Sequence, residues 1–177
     1  IMIIINKRNL FFLISVWLLS TLLSAQNVTI STPHTQLLLS VPNGGTPEQL
    51  YYGSRTSDAD IRSICETARR RNAYPVYGMG YPCETALSVR HADGNLTLQM
   101  AVIGVKETRL TKENATLTVI ELKDKVYPFF VNICYKAWQD ADVIETWTEI
   151  RHEEKKPVQL QQFASAYLPV RRGNVLL

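Results

Sequence analysis

From residue 26 onward most segments alternate apolar and polar side chains with a period of two, the pattern of strands with one buried face. The clearest case is 129–138, where Phe129, Val131, Ile133, Tyr135 and Ala137 fall on one side. Shorter runs at 28–32, 36–41 and 50–52 are punctuated by Pro33, Pro42 and the turn signal Asn43-Gly44-Gly45. A meander of longer strands is predicted over 86–91, 96–109, 116–123, 129–138 and 143–151. Ala92-Asp93-Gly94-Asn95 reads as a hairpin turn in which Gly94 supplies positive φ, and Asp140-Ala141-Asp142 turns the chain again. Pro157 opens a last strand, 158–168, with Val158, Leu160, Ala164, Ala166 and Leu168 on one face.

Residues 54–72 break this rhythm. Ser, Asp, Arg and Asn dominate there, and Ile61, Ile64 and Ala68 have only loose helical spacing, enough for a single turn. We read this as a long loop of the kind that carries function. Many strands and no strong helix indicate an all-β fold, an antiparallel β-sandwich. Trp138 and Trp147 are expected in the core or between sheets rather than as sugar platforms.

The first 25 residues follow different rules. Lys7 and Arg8 precede a 14-residue apolar run at 10–23 broken only by Ser15, Ser20 and Thr21. Ser24-Ala25-Gln26 then offers small residues suited to cleavage after Ala25. A membrane span needs roughly 20 apolar residues, so a signal peptide over 1–25 is expected rather than an anchor. The mature domain is then 26–177, and no membrane association follows cleavage. The open frame at Ile1 and the new apolar run after Arg172 suggest a fragment of something longer.

Removing Lys7 and Arg8 lowers the net charge from +3 to +1. Near-neutral charge gives no footprint for nucleic acid, and Arg69-Arg70-Arg71 reads as a solvated loop. Of the three cysteines, Cys65 and Cys83 flank a Tyr-Pro-Val-Tyr-Gly turn and either pair or stay free, while Cys134 sits mid-strand as a small buried hydrophobe. No spacing of His or Cys suits a metal, and no cofactor is expected.

Several short motifs occur in a consistent order. They are Leu50-Tyr51-Tyr52-Gly53-Ser54-Arg55, Tyr74-Pro75-Val76-Tyr77-Gly78, Glu84-Thr85-Ala86-Leu87-Ser88-Val89, Asp93-Gly94, and the stretch from Thr116 to Asp124. Together with Asp142-Val143-Ile144 and Pro169, they resemble the N-terminal β-sandwich ("supersandwich") domain of family 36 glycoside hydrolases, the α-galactosidase type, over roughly 36–170. Thr85 stands where the family pattern has Pro, and no acidic residue lies between Gly78 and Glu84.

The signal segment implies export, with the periplasm as the expected destination, and together with the resemblance it points to a bacterial source. The resemblance implies a parent enzyme of the retaining type that hydrolyses terminal α-galactosides in carbohydrate catabolism.

 The same resemblance places its two catalytic Asp residues on a downstream (β/α)₈ barrel, 26–177 being truncated before it. Retaining hydrolysis needs two carboxyl groups about 5 Å apart, so no catalytic residue is assigned to this chain. The implied partners are that barrel, a galactoside or oligosaccharide, and further copies of the enzyme in a homo-oligomer. In such oligomers an acidic residue of the 53–73 region hydrogen-bonds sugar in a neighbouring active site. Asp58 and Asp60 are the residues available for that role.

Two other readings use the same residues. A free-standing carbohydrate-binding module would display a stripe of aromatics, with Tyr51, Tyr52, Tyr74, Tyr77 and Tyr81 as candidates. A purely structural sandwich in an envelope assembly would need no site at all. The Asn-x-Ser/Thr sequons at Asn27, Asn95 and Asn114 are expected to be unmodified in a bacterium.

Overall fold

The computed structural model describes residues 26–82 and 84–169. The expected signal segment and Cys83, hence any pairing of Cys83 with Cys65, lie outside the described residues. Among the described residues ten strands, one α-helix and a short 3-10 turn follow in order: β1 (Gln26–Ser31), β2 (Thr35–Val41), β3 (Glu48–Ser54), α1 (Asp58–Thr67), β4 (Arg71–Asn72), β5 (Leu87–Arg90), β6 (Met100–Leu110), the 3-10 turn (Thr111–Glu113), β7 (Ala115–Asp124), β8 (Phe129–Trp138), β9 (Val143–His152) and β10 (Gln159–Phe163). One antiparallel sheet has the order β1-β2-β3-β4, a second β6-β7-β8-β9, and β5 pairs with β10.

One apolar core joins all three sheets. β8 realises its alternation residue for residue: Phe129, Val131, Ile133, Tyr135 and Ala137 are buried inward. They meet Val28 and Ile30 of β1, Leu37, Leu39 and Val41 of β2, and Leu87 and Val89 of β5. This is the sandwich that the period-two pattern predicts, each sheet burying one face against the other. β2 is buried on both faces. Its second face carries Gln36 and Ser40, whose side chains bond Thr56 and Arg70, so the segment around α1 lies over it.

Turns lock the layers together. Gly44 donates to the Val102 carbonyl (3.0 Å) and Val102 donates back to Gly45 (2.8 Å), tying the β2–β3 turn to β6. Buried Asp124 accepts from the backbone N–H groups of Gln99, Val126 and Tyr127, closing the β7–β8 turn. Gly94 has φ of +91°, as its turn requires. The strand after that turn starts only at Met100, however, and pairs with β7 rather than folding back on β5.

Three expectations are corrected. Residues 54–72 are not an irregular loop, because 58–67 form a ten-residue helix. The last strand is shorter than 158–168, and a bulge between Leu160 and Gln162 breaks its period. Trp138 and Trp147 are outside the core. Trp138 has the parity opposite to Phe129 on β8, and Trp147 pairs with Cys134, which shares that outward parity.

Candidate functional site

The motif around Leu50–Arg55 and the arginine run meet at one place, a cleft of about 540 Å³ between β3 and the C-terminal end of α1. Leu50 and Ile64 give it an apolar floor, while Gln49, Tyr51, Tyr52, Thr67, Arg69 and Arg71 supply polar groups.

The local sequence builds this cleft in steps. Gln36, buried on β2, accepts from both the backbone N–H and the hydroxyl of Thr56 (2.9 Å each), which fixes the chain as it leaves β3. Ser57 then caps α1: its hydroxyl accepts from the Asp60 N–H (3.3 Å), and the Asp60 carboxylate accepts from the Ser57 N–H (3.4 Å) and hydroxyl (2.7 Å). That reciprocal box satisfies donors the first turn leaves open, and the negative charges of Asp58 and Asp60 suit the helix N-terminus. After the helix, Arg70 bonds Ser40 (2.9 Å) and Glu48 (3.1 Å), and Arg71 enters β4 opposite Gln49. Gln49 donates to the Pro169 carbonyl (3.1 Å), bringing the end of the described chain to the cleft's edge.

The motif glycines have steric reasons. A Cβ on Gly53 would meet the Tyr51 hydroxyl at 2.7 Å, and that hydroxyl donates to the Ser54 carbonyl (2.8 Å). Gly78 has φ of +99°, and a Cβ there would lie 2.9 Å from the Thr97 Cα. Tyr74 is buried and serves the scaffold: its hydroxyl donates to the Ala164 carbonyl (3.1 Å), which also accepts from Thr148 (3.2 Å). Burial raises the Tyr74 pKa, and the Thr148 hydrogen bond offsets part of that rise.

Both sequence-predicted site residues lie away from the cleft. Asp58 and Asp60 are exposed at the opposite end of α1. Seven residues of helix separate Asp60 from Thr67, about 10 Å at 1.5 Å per residue. Two positions apart on a helix, the Asp side chains leave it roughly 200° apart, so they do not converge on one ligand. Asp60 is committed to the cap, whereas Asp58 is presented outward.

The cleft's chemistry is that of a binding surface. Amide, hydroxyl and guanidinium groups beside a tyrosine ring suit a polyhydroxylated ligand or another polypeptide surface. Among the described residues no carboxylate lines it, so they do not present there the pair of acids that glycoside hydrolysis requires. Among the described residues no three His, Cys, Asp or Glu side chains gather as a metal would need.

The other aromatic surface, the outward face of β8 and β9, is occupied by its own cations. Lys136 Nζ sits 3.8 Å from the centre of the Trp138 ring, and the Arg151 guanidinium 4.1 Å from that of Phe130. The indole N–H groups of Trp138 and Trp147 donate to Glu145 and Glu149. The five tyrosines likewise form no stripe, since Tyr74 is in the core while Tyr52 and Tyr77 are exposed. Gln36 and Ser57 position the site but were not singled out in the sequence. Ser57-x-x-Asp60 was the available signal, a capping box with the shorter acid.

Comparison with known proteins places this geometry. The model of the glycosyl hydrolase family 36 N-terminal domain matches residues 45–177. No curated protein matches as a relative. Among solved structures, the α-galactosidase from Lactobacillus brevis superposes with a TM-score of 0.69 at 16% identity, covering 80% of this chain and 23% of that enzyme. The galactosidase domain of the α-galactosidase-sucrose kinase AgaSK gives 0.66 at 21% identity, covering 78% and 24%. A variant of the GH36 α-galactosidase AgaA from Geobacillus stearothermophilus, in complex with raffinose, gives 0.70 at 15% identity, covering 79% and 24%. The chain thus spans about a quarter of the length of the enzymes it resembles. With its β-sandwich and a family match over residues 45–177 that takes in every one of the motifs, the chain belongs to the glycosyl hydrolase family 36 N-terminal domain family.

Proposed function

We propose that this chain is the non-catalytic N-terminal domain of a secreted, periplasmic α-galactosidase acting on terminal α-galactosides. The family match over 45–177 carries this reading. Within this reading nucleophile and acid/base reside on a catalytic barrel elsewhere in the enzyme. The sandwich packs on that barrel, and in a homo-oligomer the N-terminal end of α1 reaches a neighbouring active site.

Within this reading Asp58 is the residue that contacts sugar, because it is exposed and outside the cap, whereas Asp60 holds the helix. The test is the specificity constant of the full-length enzyme on an α-galactoside. Asp58→Ala should lower it roughly tenfold, about 1.4 kcal/mol, with unchanged melting temperature. Asp60→Ala should act through stability instead. Full activity in Asp58→Ala would remove the loop contribution from the proposal.

A further inference from the structure

One face of β2 carries two polar side chains, Gln36 and Ser40, with Leu38 between them, and all three are buried. A buried amide or hydroxyl costs stability unless it is hydrogen-bonded, so what each one holds is informative. Ser40 accepts from Arg70 (2.9 Å), three residues past the C-terminal end of α1. Gln36 accepts from the N–H and the hydroxyl of Thr56 (2.9 Å each), two residues before Asp58 opens the helix. Four residues of strand span about 13 Å, and ten residues of helix span about 15 Å. The two anchors are spaced to fit the element they hold.

At the Asp58 end, the hold is narrow. No residue of α1 is buried. The Ser57–Asp60 box closes on the helix itself, so it fixes where the helix starts but not where it lies. Arg55 donates its backbone N–H to the His34 carbonyl (2.7 Å), and Thr56 is then the last residue before Asp58 whose side chain bonds the sheet. Among the described residues the Asp58 carboxylate has no hydrogen-bond partner of its own. Its position is therefore inherited from the backbone that Gln36 fixes.

We infer that Gln36 is a positioning residue for the sugar contact of Asp58, its side-chain carbonyl setting where the N-terminal end of α1 lies. This rests on the role proposed for Asp58 above. Because Gln36 acts only through that carboxylate, its loss weakens the enzyme by no more than the loss of Asp58 does.

A double-mutant cycle in the full-length enzyme, read as kcat and KM on an α-galactoside, tests this. Gln36→Met keeps the length of the side chain and removes the acceptor. It should raise KM about fivefold with kcat unchanged, as a contact made equally in ground and transition states would. In an Asp58→Ala background the same substitution should alter kcat/KM by less than about twofold. Thr56→Val breaks the link from its other side and should repeat both results, while Thr56→Ser, which keeps the hydroxyl, should match the parent. An equal loss in both backgrounds would make Gln36 a structural residue and overturn the inference. So would an unchanged KM in Gln36→Met and Thr56→Val where Asp58→Ala is impaired; the sugar contact would then stand without it. Full activity in Asp58→Ala would overturn the contact and this inference together.

Discussion

Asp142 shows how one side chain can join two layers. Its backbone has φ of +52°, in the left-handed region that Asn and Asp tolerate best. Its carboxylate accepts from the Thr32 hydroxyl and from the His34 N–H (3.0 Å), linking the β8–β9 turn to the β1–β2 turn. The Thr32 hydrogen bond, followed by that from the His34 backbone, lowers its pKa below the usual carboxylate value. A lowered folded-state pKa contributes stability above the unfolded value, near 3.9, and that stability is lost as pH falls through the folded one. Asn keeps the shape and the left-handed backbone while removing the charge. Asp142→Asn should therefore melt below the parent protein at pH 5 to 7, with the gap closing below about pH 4. A gap that persists unchanged into the acid range would assign the effect to shape rather than charge.

At the scale of elements, legibility followed burial. β8 was readable because one face is wholly in the core, so the alternation had to be kept. α1 was not, because no residue of this helix is buried and only Ile61, Ile64 and Cys65 are partly so, which leaves no apolar stripe to read. Nor was β10, whose bulge breaks the period. Trp138 and Trp147 were misplaced because large aromatics suggest a core, whereas here Lys136 and Glu145 complete Trp138 on the outside. Of the candidate site, the aromatic-glycine motifs flanking it were legible, while the cleft was not, since Gln49, Thr67 and Arg71 meet only through the β3–β4 pairing and the helix. A ten-residue helix is marginal in water by itself, so α1 leans on its cap. Ser57→Ala should cost about 1 kcal/mol and speed hydrogen exchange of α1 amides about fivefold, leaving β8 amides at their original rate. Equal acceleration in both elements would make the cap part of global stability.

At the scale of the whole molecule, the domain supplies a folded scaffold and a cleft that, among the described residues, no carboxylate lines. Export is the other whole-molecule expectation. The secreted product should begin at Gln26 by N-terminal sequencing, and an intact Met2 start recovered from membranes would contradict the signal assignment. The central claim is that this domain belongs to an α-galactosidase without supplying its chemistry. Hydrolysis of an aryl α-galactoside, measured side by side for the full-length polypeptide and for residues 26–177, tests it most directly. The account predicts turnover by the full-length polypeptide and none above background by 26–177. A full-length polypeptide without activity would contradict it, as would turnover by 26–177 that vanishes when one of its own carboxylates is replaced.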